Sequence, residues 1–81
     1  MTEAIMTPLD QLKPRMRGTI HDLHVGKELA RRMAGLGLRP GSTIEVIRRA
    51  PLNGPIQVRI GHTDLMLRRN EAAQISICLA V

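Results

Sequence analysis

Apolar residues recur along this chain with two different periods. In residues 56–60 and 74–81 they fall on every second position, as Ile56-Val58-Ile60 and Ile75-Ile77-Leu79, which is the pattern of a strand with one buried face. Residues 18–25, 43–49 and 64–67 are also short β-rich segments bounded by turn formers and read as strands. Between residues 27 and 35 the period lengthens. Leu29, Met33 and Leu36 stand at i, i+4 and i+7 with Ala30 and Ala34 beside them, while Lys27, Glu28, Arg31 and Arg32 take the other side. That spacing predicts one short amphipathic helix.

The residues between these segments supply the punctuation. Thr7 can cap a short helical turn with Pro8 at its first position and Asp10 near its positive end, and Pro14 stops it. The stretch GLGLRPG, residues 35–41, looks at first like a phosphate-cradling loop. Such a loop leaves a strand and opens a helix, whereas these glycines follow the helix, and Pro40 has no amide hydrogen to offer. The residues instead predict a helix closed by Gly35 or Gly37 in the left-handed conformation. A type II turn over Arg39-Pro40-Gly41-Ser42 then follows. PLNGP, residues 51–55, reads as an Asn53-Gly54 turn followed by Pro55, Gly61-His62 as a type II′ hairpin loop, and Asn70 as the cap of a single turn over NEAA.

About five short strands, tight turns and one inserted helix, without a βαβ crossover, make this a mainly β chain. The expected architecture is a small antiparallel barrel in one domain spanning residues 1–81. Eighty-one residues support a single core. Since 43% of them are hydrophobic but none is Phe, Tyr or Trp, aliphatic side chains and Met must fill it alone.

Twelve Lys and Arg against seven Asp and Glu leave a formal charge of +5, which favours acidic partners, nucleic acid or an anionic surface. Six of the ten arginines come in doublets, Arg31-Arg32, Arg48-Arg49 and Arg68-Arg69, rather than in one run, and read as solvated faces. Cys78 cannot form an intramolecular disulfide and lies in an apolar alternation, so it reads as a buried thiol of a cytosolic protein. The opening MTEAIMTPLDQ has neither a cationic start nor an apolar core. No signal peptide is therefore expected, and the longest apolar run, residues 77–81, is too short to span a bilayer.

Candidate chemistry is sparse. His21, His24, His62 and Cys78 are the residues able to form a soft metal site, but no spacing among them holds a closed tetrahedron, and they read as structural or solvent-facing. No metal, cofactor or catalytic constellation is expected, because no Ser stands with a His and an acid in a known motif. RNA binding is the competing reading, since small basic barrels do bind RNA. Single-strand binders stack bases on aromatic rings, however, and this chain has none.

The stretch ELARRMAGLGLRPGSTIEVIRRAPLNGPIQVRIGHTDLMLRRNEAAQISI resembles the FeoA family, small cytosolic proteins of ferrous iron transport. The likeness runs over residues 9–78. Its pieces are an R-R-L-type helix (Arg31, Arg32), G-L-x-P-G (Gly37, Leu38, Pro40, Gly41), P-x-G-G-P ending in Gly54-Pro55, and L-R-x-x-E-A (Leu67, Arg68, Glu71, Ala72). Arg15 stands where the family often has Gly, and Asn53 replaces the first Gly before Gly54. The resemblance implies an SH3-like barrel that binds and modulates FeoB, a membrane ferrous iron permease with a cytosolic GTPase domain. It implies a cytoplasmic, non-catalytic accessory protein, brought to the inner face of the membrane by its partner without inserting, and leaves self-association open. The expected docking surface is the helix and the turn after it, where Arg31, Arg32 and Arg39 adjoin an apolar ledge of Leu36 and Leu38.

Overall fold

The structure is a computed structural model, described here over residues 4–80. Six strands form one antiparallel sheet: β1 (Ala4–Pro8), β2 (Arg17–Leu23), β3 (Thr43–Arg49), β4 (Ile56–Ile60), β5 (Thr63–Leu67) and β6 (Ile75–Ala80). Their spatial order is β1-β6-β2-β3-β4-β5. Helix α1 (Lys27–Gly35) is inserted between β2 and β3, and a one-turn helix α2 (Arg69–Ala72) lies between β5 and β6. The sheet curls round one core, but β1 and β5 remain edges, so the barrel is not closed.

Alternation places the core as expected. Ile44 and Val46 of β3, Ile56 and Val58 of β4, and Ile75 and Ile77 of β6 are buried, joined by Leu9, Leu12, Ile20, Met33 and Leu38. None of these is aromatic, and each aliphatic side chain so buried contributes about 1.5–3 kcal/mol. Gly18 lies in β2 against the β6 residues Ile77 to Leu79. A Cβ there would fall 2.5 Å from the Ile77 Cγ2 and 2.9 Å from the Leu79 Cδ2, space that the core side chains already fill.

Three local expectations are corrected. Among the described residues there are six strands, because residues 4–8 pair with β6 from Ala4 opposite Ala80 to Pro8 opposite Ser76. Thr7 therefore belongs to a strand, and Pro8 precedes a 3-10 turn, Leu9–Gln11, that has no side-chain cap. At α2 the capping position is Arg68 rather than Asn70, and the Glu71 carboxylate accepts the Arg68 backbone N–H at 2.9 Å. The hairpin between β4 and β5 agrees with expectation: Ile60 faces Thr63 across a two-residue loop in which Gly61 alone has positive φ, at 61°.

Candidate functional site

Helix α1 turns its apolar side to the barrel, burying Met33 and half-burying Leu29, and presents Arg31 and Arg32 to solvent. Its C-terminus closes as a Schellman motif. The Leu38 N–H donates to the Met33 carbonyl at 2.9 Å and the Gly37 N–H to the Ala34 carbonyl at 3.0 Å, with Gly37 at φ 97°. Of the two glycines offered by the sequence, Gly37 is thus the closing one. The reversal sends the two leucines opposite ways: Leu36 is 54% exposed and Leu38 is fully buried. The expected ledge of Leu36 and Leu38 is corrected to Leu36 alone, since the bond back to Met33 carries Leu38 into the core.

The next turn fixes Arg39. The Ser42 N–H donates to the Arg39 carbonyl at 3.1 Å with Gly41 at φ 95°, as a Pro40-Gly41 type II turn requires. Strand β2 holds the turn from both sides, through Gly41 N–H to the Ile20 carbonyl and Ile20 N–H to the Ser42 carbonyl, each 2.8 Å. Arg31, Arg32 and Arg39 are exposed, and among the described residues none of them has an ion-pair partner. The helix and the turn after it thus carry three exposed guanidinium groups without ion-pair partners among the described residues, and one exposed leucine. They can offer charge-assisted hydrogen bonds to carboxylates or phosphates and a small apolar anchor.

The residues singled out for metal chemistry are dispersed. His24 is tied into the barrel end: its Nε2 lies 2.9 Å from the Ser76 Oγ and its Nδ1 3.8 Å from the Asp22 carboxylate. His21 is exposed at the irregularity where β2 slips against β6, and His62 is exposed in the β4–β5 loop. Cys78, expected to be buried, is only partly so. It lies on the face of β6 opposite to Ile77, level with Met6 and Thr19. Among the described residues no three His, Cys, Asp or Glu side chains converge on a point where an ion could sit.

At the other end of β3 the turn over residues 51–54 departs from expectation. The Gly54 N–H donates to the Pro51 carbonyl at 3.2 Å, with Leu52 at φ 59° and Asn53 at φ 58°, so the central pair is Leu52-Asn53 and not Asn53-Gly54. The Ala50 N–H bonds to the Pro55 carbonyl at 3.0 Å, which fixes that register. Gly54 is required by space rather than by φ, because a Cβ would fall 2.9 Å from that of Ala50. The turn lifts Leu52 to 98% exposure, a feature that nothing but the flanking prolines Pro51 and Pro55 hints at in the sequence. The second arginine doublet also divides: Arg48 is exposed, while the Arg49 Nη1 donates to the carbonyls of Asp10 and Leu12 and ties the first turn to β3.

Comparison with known proteins adds the family. The chain matches the FeoA domain over residues 7–78. An iron uptake regulatory protein, FeoA, superposes with a TM-score of 0.83 at 25% identity over 93% of this chain and 100% of that one. The FeoA protein from Chlorobium tepidum superposes at 0.82 with 35% identity, over 90% of this chain and 70% of that one. Stenotrophomonas maltophilia FeoA, a prokaryotic SH3 domain protein complexed with zinc, superposes at 0.70 with 27% identity, over 85% and 86% of the two chains. The fold is therefore that of the small SH3-like domains of iron uptake, and the chain belongs to the FeoA family, which is linked to ferrous iron transport.

Proposed function

We propose that this protein is a non-catalytic accessory of ferrous iron uptake that binds and modulates the cytosolic part of a FeoB-type transporter. The observation that carries the reading is the α1 ledge: Arg31, Arg32 and Arg39 exposed without ion-pair partners among the described residues, on the same helix and turn as the exposed Leu36. Free guanidinium groups accelerate encounter with an acidic surface, and an exposed apolar side chain on the same element can be desolvated in the complex. Family membership supports the iron-transport context, and the Stenotrophomonas relative is itself described as a candidate ferrous iron transport activating factor.

The test is direct titration of the purified protein against the soluble GTPase domain of a FeoB transporter and against mixed RNA, each at low and at high salt. Saturable binding to the GTPase domain with weaker RNA association supports the proposal. Binding to RNA alone, with a steep loss at high salt, would transfer the function to the competing class.

A further inference from the structure

The hairpin joining β3 to β4 holds a leucine in a strained conformation and leaves its side chain in solvent. Leu52 holds a left-handed backbone at φ 59°, a region that L residues other than Asn and Asp seldom enter, and its side chain is 98% exposed. Nothing in the fold gains from that side chain, since it touches no core. Yet the turn is braced: the Arg69 Nη1 donates to the Asn53 Oδ1, the Gly54 N–H to the Pro51 carbonyl, and Gly54 packs against Ala50. A strained, braced, convex tip carrying one apolar residue is the kind of outlier that points to use rather than to stability.

The surroundings of the tip are cationic. Arg48 and Arg49 end β3 at its base. Arg68 and Arg69 follow Leu67, whose partner Ile56 opens β4 just beyond Pro55. A shallow cleft of about 220 Å³ beside it is lined by Lys13, Arg49 and Arg69, with Asp10 the one carboxylate on its wall. Asp10 is 8% exposed, and the other nearby carboxylate, Glu71, is engaged on the Arg68 N–H. Lys13, Arg48 and Arg68 are exposed.

We propose that this end of the barrel is a membrane-contact element. Leu52 enters the headgroup–acyl boundary of an anionic phospholipid surface, and the exposed Lys13, Arg48 and Arg68 receive lipid phosphates. Charge complementarity and shape select this occupant. A single convex leucine inside a cationic collar suits a plane that yields to it, whereas a protein partner would need a pocket shaped for the tip. The contact is peripheral and reversible, as one apolar side chain with a handful of cations dictates. It does not depend on the proposed transporter contact, which lies at the opposite end of β3.

The test is co-sedimentation of the full chain with vesicles of phosphatidylcholine alone and with about a third phosphatidylglycerol. The expected result is binding to the anionic vesicles only, weakening as salt rises. Leu52→Asn should reduce the partition coefficient roughly tenfold while leaving the thermal midpoint unchanged or raised, because Asn tolerates the left-handed region. Lys13→Ala combined with Arg48→Ala should also weaken binding, and Arg31→Ala combined with Arg32→Ala should not. Several results would overturn the proposal: no association with anionic vesicles, equal binding by Leu52→Asn, or equal losses from the two arginine and lysine pairs, which would mean diffuse charge. Loss of transporter GTPase-domain binding in Leu52→Asn with vesicle binding intact would make the tip a protein anchor instead.

Discussion

Arg15 sits at the third position of the Lys13–Met16 turn with φ 74°, following Pro14, in a conformation that suits glycine. The turn is held because the Met16 N–H bonds to the Lys13 carbonyl and the Arg15 N–H reaches the Val46 carbonyl at 2.7 Å. A side chain there costs roughly 1–2 kcal/mol, of which the greater unfolded-state freedom of glycine returns part. Arg15→Gly is therefore expected to raise stability by about 0.5–1 kcal/mol, read as a higher urea midpoint at constant slope. Gly37 is the opposite case. At φ 97°, with a Cβ position 3.3 Å from the Ile60 Cγ2, Gly37→Val meets both backbone strain and a crowded core wall. The midpoint should fall by the equivalent of more than about 1 kcal/mol, and an unchanged one would contradict the helix closure described. Gly37 and Gly41 were legible in the sequence because their neighbours, an apolar period that ends and a proline, fix which conformation they must take. Leu52 was not, since Asn-Gly is a strong turn signal and only the ladder between Ala50 and Pro55 moves the turn one residue earlier.

At the scale of elements, α1, β4 and β6 follow from periodicity, and β2, β3 and β5 from β-rich stretches bounded by turn formers. β1 does not. It is an edge strand with Ile5 and Met6 exposed, and what makes it a strand is its pairing with β6, seventy residues away in sequence. Its only local signals, Thr7 and Pro8, suit a helix start equally well. The β4–β5 hairpin gains a cross-strand pair: the Arg59 Nε and Nη2 donate to the Asp64 carboxylate at 2.7 and 3.1 Å, and Gln57 adds a third bond at 3.1 Å. The hydrogen bond from Arg59 holds the Asp64 carboxyl below the usual aspartate range, and the same pairing raises the Arg59 guanidinium. A depressed folded-state pKa contributes stability above the ordinary carboxylate range that disappears as pH falls through the depressed value. The stability difference between the protein and Asp64→Asn should accordingly be small at neutral pH, as for any solvent-exposed pair, and vanish in acid. A difference that grows on acidification would contradict the pairing.

Two cationic clusters flank β3. The α1 ledge with Arg31, Arg32, Leu36 and Arg39 lies before the strand, and the Leu52 hairpin with its collar lies after it, about 20 Å away along seven extended residues. This separation was hidden in the sequence. The arginine doublets look alike there, and only the fold shows that Arg49 is spent on backbone carbonyls while Arg31 and Arg32 are free. Such a division lets one small domain meet a protein with one end while the other stays available. The central claim is that the α1 ledge docks a FeoB-type transporter, and the most direct measurement pairs affinity with stability in the Arg31→Glu, Arg32→Glu double variant. Both side chains lie in solvent, so the urea midpoint should shift by no more than about 0.5 kcal/mol per substitution. Affinity for the transporter GTPase domain should drop by at least tenfold, and the salt dependence of association should flatten. A double variant that remains folded and binds the GTPase domain as the unmodified protein does would contradict the account.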